Sequence, residues 1–236
     1  MFTKILSHFL PSTSKTNYVS AGHVDFVGAG LAEYNDHYAV VFDSLFTEAE
    51  LTAILAEAEA SAPWDVAQVN AGAHAYTDTS YRNGQRIIYD SHELSQRIFD
   101  KIRPHLQDIE EIEQPTYLPG PEAGRPEMAH GPAERAAALP AETGQRTFYT
   151  LQFYLPSDAS GSKESFQPPI GGSTRFRGRI AEKAFADVES IPGRVLVFQH
   201  ANLLHTGEEV TSGIKCTVRS DILYERVGEP VPIEES

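Results

Sequence analysis

His205 and Lys215 stand ten residues apart near the end of a 236-residue chain, and this pair is its clearest chemical signal. A neutral imidazole is the commonest protein ligand of a catalytic transition metal, and a lysine ammonium suits a carboxylate lying beside it. Before them come alternating apolar and polar runs, a Gly171-Gly172 turn, and the segment Pro192-Gly193-Arg194-Val195-Leu196-Val197-Phe198, in which a turn feeds a β-branched strand. A turn, a strand, a lone histidine and then a cation on the next strand suggest a metal enzyme with an acidic cosubstrate.

The strand predicted at 214–224 places Lys215, Thr217 and Arg219 on one face and Ile214, Cys216 and Val218 on the other. A cationic face lining a protein interior needs an anion, because an unpaired buried charge is costly. In the strand predicted at 147–155, Tyr149, Leu151, Phe153 and Leu155 share the core face, and Phe148, Thr150, Gln152 and Tyr154 share the other. His74 and His200 are further imidazoles, and nothing in their spacing favours His200 over a histidine in a turn.

The elements that must carry these residues can be read in outline. Tyr38 to Phe42 reads as a buried strand, and Thr47 with Glu50 three residues later makes a capping box for a helix to about Glu59. Leu51, Ile54 and Leu55 stripe that helix, and Trp64 closes the unit. A second helix starts near Asp90 or Ser91, lines up Leu94, Ile98 and Ile102, and stops near Pro104. The stretch 117–145 reads as mostly loop with a helical turn at 133–138, and 156–170 as a second loop. Strands follow at 147–155, 173–176, 194–199 and 214–224. A helical lead-in followed by β sequence predicts an α+β chain, a double-stranded β-helix (a cupin-like jelly roll) with buttressing N-terminal helices.

The segments 146–155, 171–176, 192–198 and 205–215 together resemble the prolyl 4-hydroxylase-like branch of the iron(II)/2-oxoglutarate dioxygenases, with Arg82 to Asp90 and the helix after it similar to that group's lead-in. The resemblance covers roughly residues 38 to 226. It implies Fe(2+) held by His205 and an upstream histidine, for which His130 is the only candidate in its interval. It further implies 2-oxoglutarate as cosubstrate anchored by Lys215, a hydroxyl donated to it by Tyr154, and a role for Arg219 as second anchor or substrate contact. Ascorbate dependence and oxidation of a C–H bond in a small molecule or protein side chain are implied in the same way.

One departure leaves the function open. The family carries His-x-Asp, whereas the residue two beyond His130 is Pro132, which cannot ligate a metal. Another acid such as Glu127 or Glu134 supplies the third ligand, or the site is left open to halide as in the family's halogenating members, or the chain keeps its fold as a binding module without redox chemistry.

Bulk composition narrows the partners. With 41% hydrophobic and 10% aromatic residues the chain is long enough for one sizeable core. The division expected is an irregular extension over 1–35, one oxygenase-like domain over 36–228 and an acidic tail over 229–236. Against 33 acidic residues stand 19 basic ones, a formal charge of −14 that repels nucleic acid and anionic membrane. Cys216 is the single cysteine, so no intramolecular disulfide forms and a reduced cytoplasmic or nuclear setting is expected. The N-terminal run Met1 to Leu10 is too short for a membrane span and lacks a signal-peptide core.

Overall fold

A computed structural model of the chain describes residues 19–67, 69–71, 74–76, 84–110, 145–180 and 183–225. In chain order β1 (Ser20–His23) and β2 (Ala39–Asp43) precede α1 (Glu48–Ser61). Four short strands follow, β3 (Asp65–Val66), β4 (Val69–Ala71), β5 (His74–Tyr76) and β6 (Gln85–Arg86), and then α2 (His92–Ile102). The second half holds β7 (Gln145–Leu155), β8 (Ile170–Gly171), β9 (Thr174–Arg177) and β10 (Phe185–Val188). It ends with β11 (Val195–Gln199), β12 (His205–Gly207), β13 (Val210–Ser212) and β14 (Cys216–Glu225). The architecture is α+β and rich in antiparallel sheet.

Local chemistry explains the two helices. The Thr47 amide donates to Glu50 Oε2 at 2.7 Å and the Glu50 amide to Thr47 Oγ1 at 3.3 Å, so two N–H groups at the start of α1 are satisfied reciprocally. Ser91 starts α2 in the simpler way, accepting from the Leu94 amide at 3.2 Å. Leu51, Ile54 and Leu55 of α1 and Leu94, Ile98 and Ile102 of α2 are buried, as their spacing predicts.

A five-stranded antiparallel sheet ordered β1-β2-β11-β7-β14 forms the centre, and a three-stranded sheet ordered β10-β9-β12 lies against one of its faces. The two faces of the central sheet carry different cores. On one, Val40, Phe42, Leu151, Phe153, Leu155, Val195 and Val197 pack with the apolar stripes of both helices. On the other, Ala39, Tyr154, Leu196 and Phe198 meet Phe176 of β9 and Ala186 and Val188 of β10. A period of two explains the division, since successive residues of β7 and β11 point to opposite faces. Arg194, the residue just before β11, grips Asp43 of β2 through two bonds, at 2.9 and 3.0 Å, which ties the sheet's middle strands at one end.

The stretch read as irregular holds structure in its described part. Ser20–His23 pairs with β2 at the sheet edge, and Phe26, Leu31 and Tyr34 are buried in the second core. A four-residue strand containing Gly22 has no alternation to detect, and its partner strand supplies the order. Strands β10 and β12 escape the pattern for the same reason: each is short and takes its register from β9. The long loop expected over 117–145 lies, up to 144, outside the described residues. Among the described residues no helix is long and apolar enough to cross a membrane.

Candidate functional site

The polar face of β14 and the polar face of β7 are brought into register. Thr217 lies opposite Tyr154, Arg219 opposite Gln152, and Asp221 opposite Thr150. The second sheet approaches this surface through β9 and β12, where Phe176 pairs with His205 and Thr174 with Gly207. Paired residues share a face, so His205 and Gly207 point the same way as Thr174 and Phe176, toward the central sheet. A Cβ built on Gly207 would meet no atom within 4 Å, so the space beside Thr174 on that strand is open.

At one end of this surface a hydroxyl cluster stitches the two sheets together. Gln152 Nε2 donates to Thr174 Oγ1 at 2.8 Å and to Tyr154 Oη at 3.1 Å, and the two hydroxyl oxygens lie 2.8 Å apart. Tyr154 is 1% exposed, and burial raises its phenol pKa against the pull of these bonds. Its hydroxyl is therefore a neutral donor held inside the protein.

Lys215 sits beside this cluster, with its Nζ over the Tyr154 ring at 5.6 Å from the centroid. Backbone geometry leaves it room. Gly172 has φ +72°, and a Cβ there would come within 3.3 Å of Lys215 Cδ and 2.7 Å of Val210 Cγ2. Among the described residues the ammonium has no ion pair and no hydrogen bond. Desolvation by burial accordingly lowers its pKa to about 8.

His205 is half-buried and lies edge-on to Phe198, ring centroids 4.7 Å apart. Its Nδ1 is 3.1 Å from the Leu203 carbonyl, an acceptor only, so the proton of the neutral ring is assigned to Nδ1 and the Nε2 lone pair is left for another partner. Burial holds the imidazole below its ordinary range, helped by the charges of Arg219 and His200 and opposed by the bond to Leu203. A neutral imidazole oriented through Nδ1 with a free Nε2 fits a metal ligand.

A second cluster surrounds Asp221. Its Oδ1 accepts from Thr150 Oγ1 at 3.0 Å and faces His200 Nε2 at 3.2 Å. Burial works to raise the Asp221 carboxyl, but the bonds from His200 and Thr150 and the charge of Arg219 outweigh it and hold the pKa down. The His200 ring is buried, and its Nδ1 finds no partner among the described residues. Arg219 is exposed beside these groups.

The structure thus places His205, Lys215, Tyr154 and Arg219 on one surface between two sheets. His130, with Pro132, Glu127 and Glu134, lies outside the described residues. Among the described residues no group of three or more His, Cys, Asp or Glu is arranged to hold a metal ion. Sequence reasoning named His200 without favouring it and passed over Asp221 and Thr174. The run Thr217, Arg219, Asp221 carried the signal for Asp221, because the same period of two that selects Arg219 selects it next. No protein-family model matches the chain, and no curated protein matches it either.

Proposed function

We propose that this protein is an iron(II)/2-oxoglutarate-dependent oxygenase of the prolyl 4-hydroxylase-like kind, built on a double-stranded jelly roll and oxidising a C–H bond of its substrate. The observation that carries this reading is the Lys215 ammonium, half-buried and without an anionic partner among the described residues, beside a buried tyrosine hydroxyl. Such a charge is costly to keep unless a ligand pairs with it. One carboxylate of 2-oxoglutarate is that partner, drawn to Lys215 and offered a hydrogen bond by Tyr154. The two packed sheets and the face shared by β7, β9, β12 and β14 support the jelly roll.

His205 would hold the metal through Nε2, with His130 as the upstream ligand the resemblance implies. When bound, iron(II) supplies the activation of oxygen, with ascorbate as a reductant that maintains the metal. The chain's own residues do the rest. Leu203 fixes the His205 ring, Phe198 and Phe176 keep water from its flank, and Lys215 and Tyr154 orient the cosubstrate.

A second reading rests on Pro132, which stands where the family places its carboxylate ligand. In that reading the same anion site belongs to a binding module without redox chemistry, or to a halogenase-like centre open to halide. Anaerobic titration with iron(II) and 2-oxoglutarate separates them. An oxygenase or halogenase gives a weak visible charge-transfer band that His205→Ala abolishes, and in air it forms succinate. A folded protein that binds 2-oxoglutarate with no band at any iron concentration is a binding module.

A further inference from the structure

The stretch before β2, irregular by its sequence pattern, reaches the loop that carries His205. One turn of 3-10 helix, Ala32–Tyr34, delivers Tyr34 into the second core, where it is 1% exposed and lies edge-on to Phe26 with ring centroids 5.6 Å apart. Phe26 in turn meets Phe176 at 5.4 Å, and Phe176 is the strand partner of His205. A ring packed this closely leaves its hydroxyl one place to be.

That hydroxyl has two partners, and their chemistry assigns the protons. The Arg177 carbonyl only accepts, so Tyr34 donates to it, at 2.8 Å. The Leu204 amide only donates, so it gives its proton to Tyr34 Oη in a long bond of 3.4 Å. The Arg177 amide closes the ring of bonds by donating to the Leu204 carbonyl at 2.9 Å. Tyr34 thereby joins the last residue of β9 to the residue just before β12.

The Leu204 amide and the Leu203 carbonyl belong to one planar peptide unit. Tyr34 holds its N–H end, and its carbonyl end takes the Nδ1 proton of His205 at 3.1 Å. Turning this peptide would carry the carbonyl away from Nδ1 and release the imidazole. The residues that follow Tyr34 brace the same loop, since Gln199 Oε1 accepts from the Tyr38 amide at 2.7 Å and Gln199 Nε2 donates to the Ala201 carbonyl at 2.8 Å.

We infer that Tyr34 is a positioning residue for His205: by holding the Leu203–Leu204 peptide it fixes the tautomer and the direction of the imidazole, and so keeps Nε2 presented for ligation. This rests on the proposed reading of His205 as a metal ligand. The partner on a ligating histidine's other nitrogen orients the ring, and losing such a partner costs about 10- to 100-fold in metal affinity.

The test uses Tyr34→Phe, which keeps the packed ring and removes the hydroxyl. Thr47→Ala, at the start of α1 on the helix side of the central sheet, controls for a loss of stability alone. In metal-free protein, long-range proton–nitrogen NMR spectra are expected to show His205 as the Nδ1–H tautomer in the wild type and as a mixture of both tautomers in Tyr34→Phe. Calorimetric titration with Co(II), an oxygen-stable probe, is expected to show affinity at least about tenfold lower in Tyr34→Phe and unchanged in Thr47→Ala. A folded Tyr34→Phe that keeps either the wild-type tautomer or the wild-type Co(II) affinity overturns the inference, as does a Thr47→Ala that shifts both equally. Should Tyr34→Phe not fold, hydrogen exchange of the wild type decides. The Leu204 amide should then exchange at least about tenfold more slowly than in the unfolded chain, and an unprotected Leu204 amide overturns the inference. A wild type that takes up no Co(II) overturns the metal-ligand reading alone, because the tautomer comparison on metal-free protein still decides whether Tyr34 holds the His205 ring.

Discussion

On the helix side of the five-stranded sheet, Phe153, Val195 and Val197 are sealed beneath Leu51, Ile98 and Ile102. On the opposite side, Thr150, Tyr154 and Lys215 carry hydroxyls and a cation into the interior. Adjacent residues of the same strand serve the two sides, so the difference is one of chemistry and not of place in the chain. An apolar side chain gains stability from being covered, at roughly 1.5–3 kcal/mol for a fully buried Val, Leu or Phe. A buried polar group gains little even when bonded, and an unpaired charge loses. The helix side and the apolar core under the second sheet can therefore be read as the parts that hold the fold, and the polar end around Lys215 as the place where stability is surrendered, in the proposed reading, for a ligand.

Disrupting the helix side gives the largest effect on folding. Phe153 is fully buried and stacks on Phe46 with ring centroids 5.4 Å apart, so Phe153→Ala leaves a cavity and should cost about 3–5 kcal/mol in urea denaturation.

Titrating the ligand side gives a smaller effect with a defined sign. Free Lys215 loses its proton as pH passes about 8, whereas the unfolded chain holds it to the ordinary 10.5. Between those values the unfolded state binds more protons, so stability should rise with pH across that window and carry the full penalty below it. A carboxylate ligand needs the charged form, so calorimetry should show 2-oxoglutarate affinity falling about tenfold per pH unit above about 8. A flat profile would detach Lys215 from the ligand.

The smallest effect sharpens the contrast. Thr47→Ala removes one partner of the α1 capping box and should lower stability by about 1 kcal/mol, with 2-oxoglutarate binding unchanged. Any loss of binding in that variant would show that the two sides are not independent.

The helix side was the legible one. Thr47 and Glu50 announce a helix start, and Leu94, Ile98 and Ile102 recur at helical spacing, because both signals are local in sequence. The faces of β7 and the face of β14 that carries Arg219 were legible for the same reason, with Tyr154 on β7 and Lys215 just before β14. The cluster around Asp221 was not. Asp221 meets His200 across 21 residues and Thr150 across 71, and only the register of β7 on β14 brings them together. Thr174 likewise acquires its meaning from Gln152 and Tyr154 on a different sheet. Tertiary pairing, which periodicity does not encode, decided these positions.

Lys215→Met tests the central claim most directly, measured at pH 7 for both urea stability and 2-oxoglutarate affinity. Removing an unpaired, half-buried ammonium while keeping an apolar stem should leave stability equal to the wild type or higher. Affinity for 2-oxoglutarate should fall by about 2 kcal/mol or more, a loss of about thirtyfold. A variant that binds 2-oxoglutarate as tightly as the wild type, or that loses stability while binding is spared, would contradict the account.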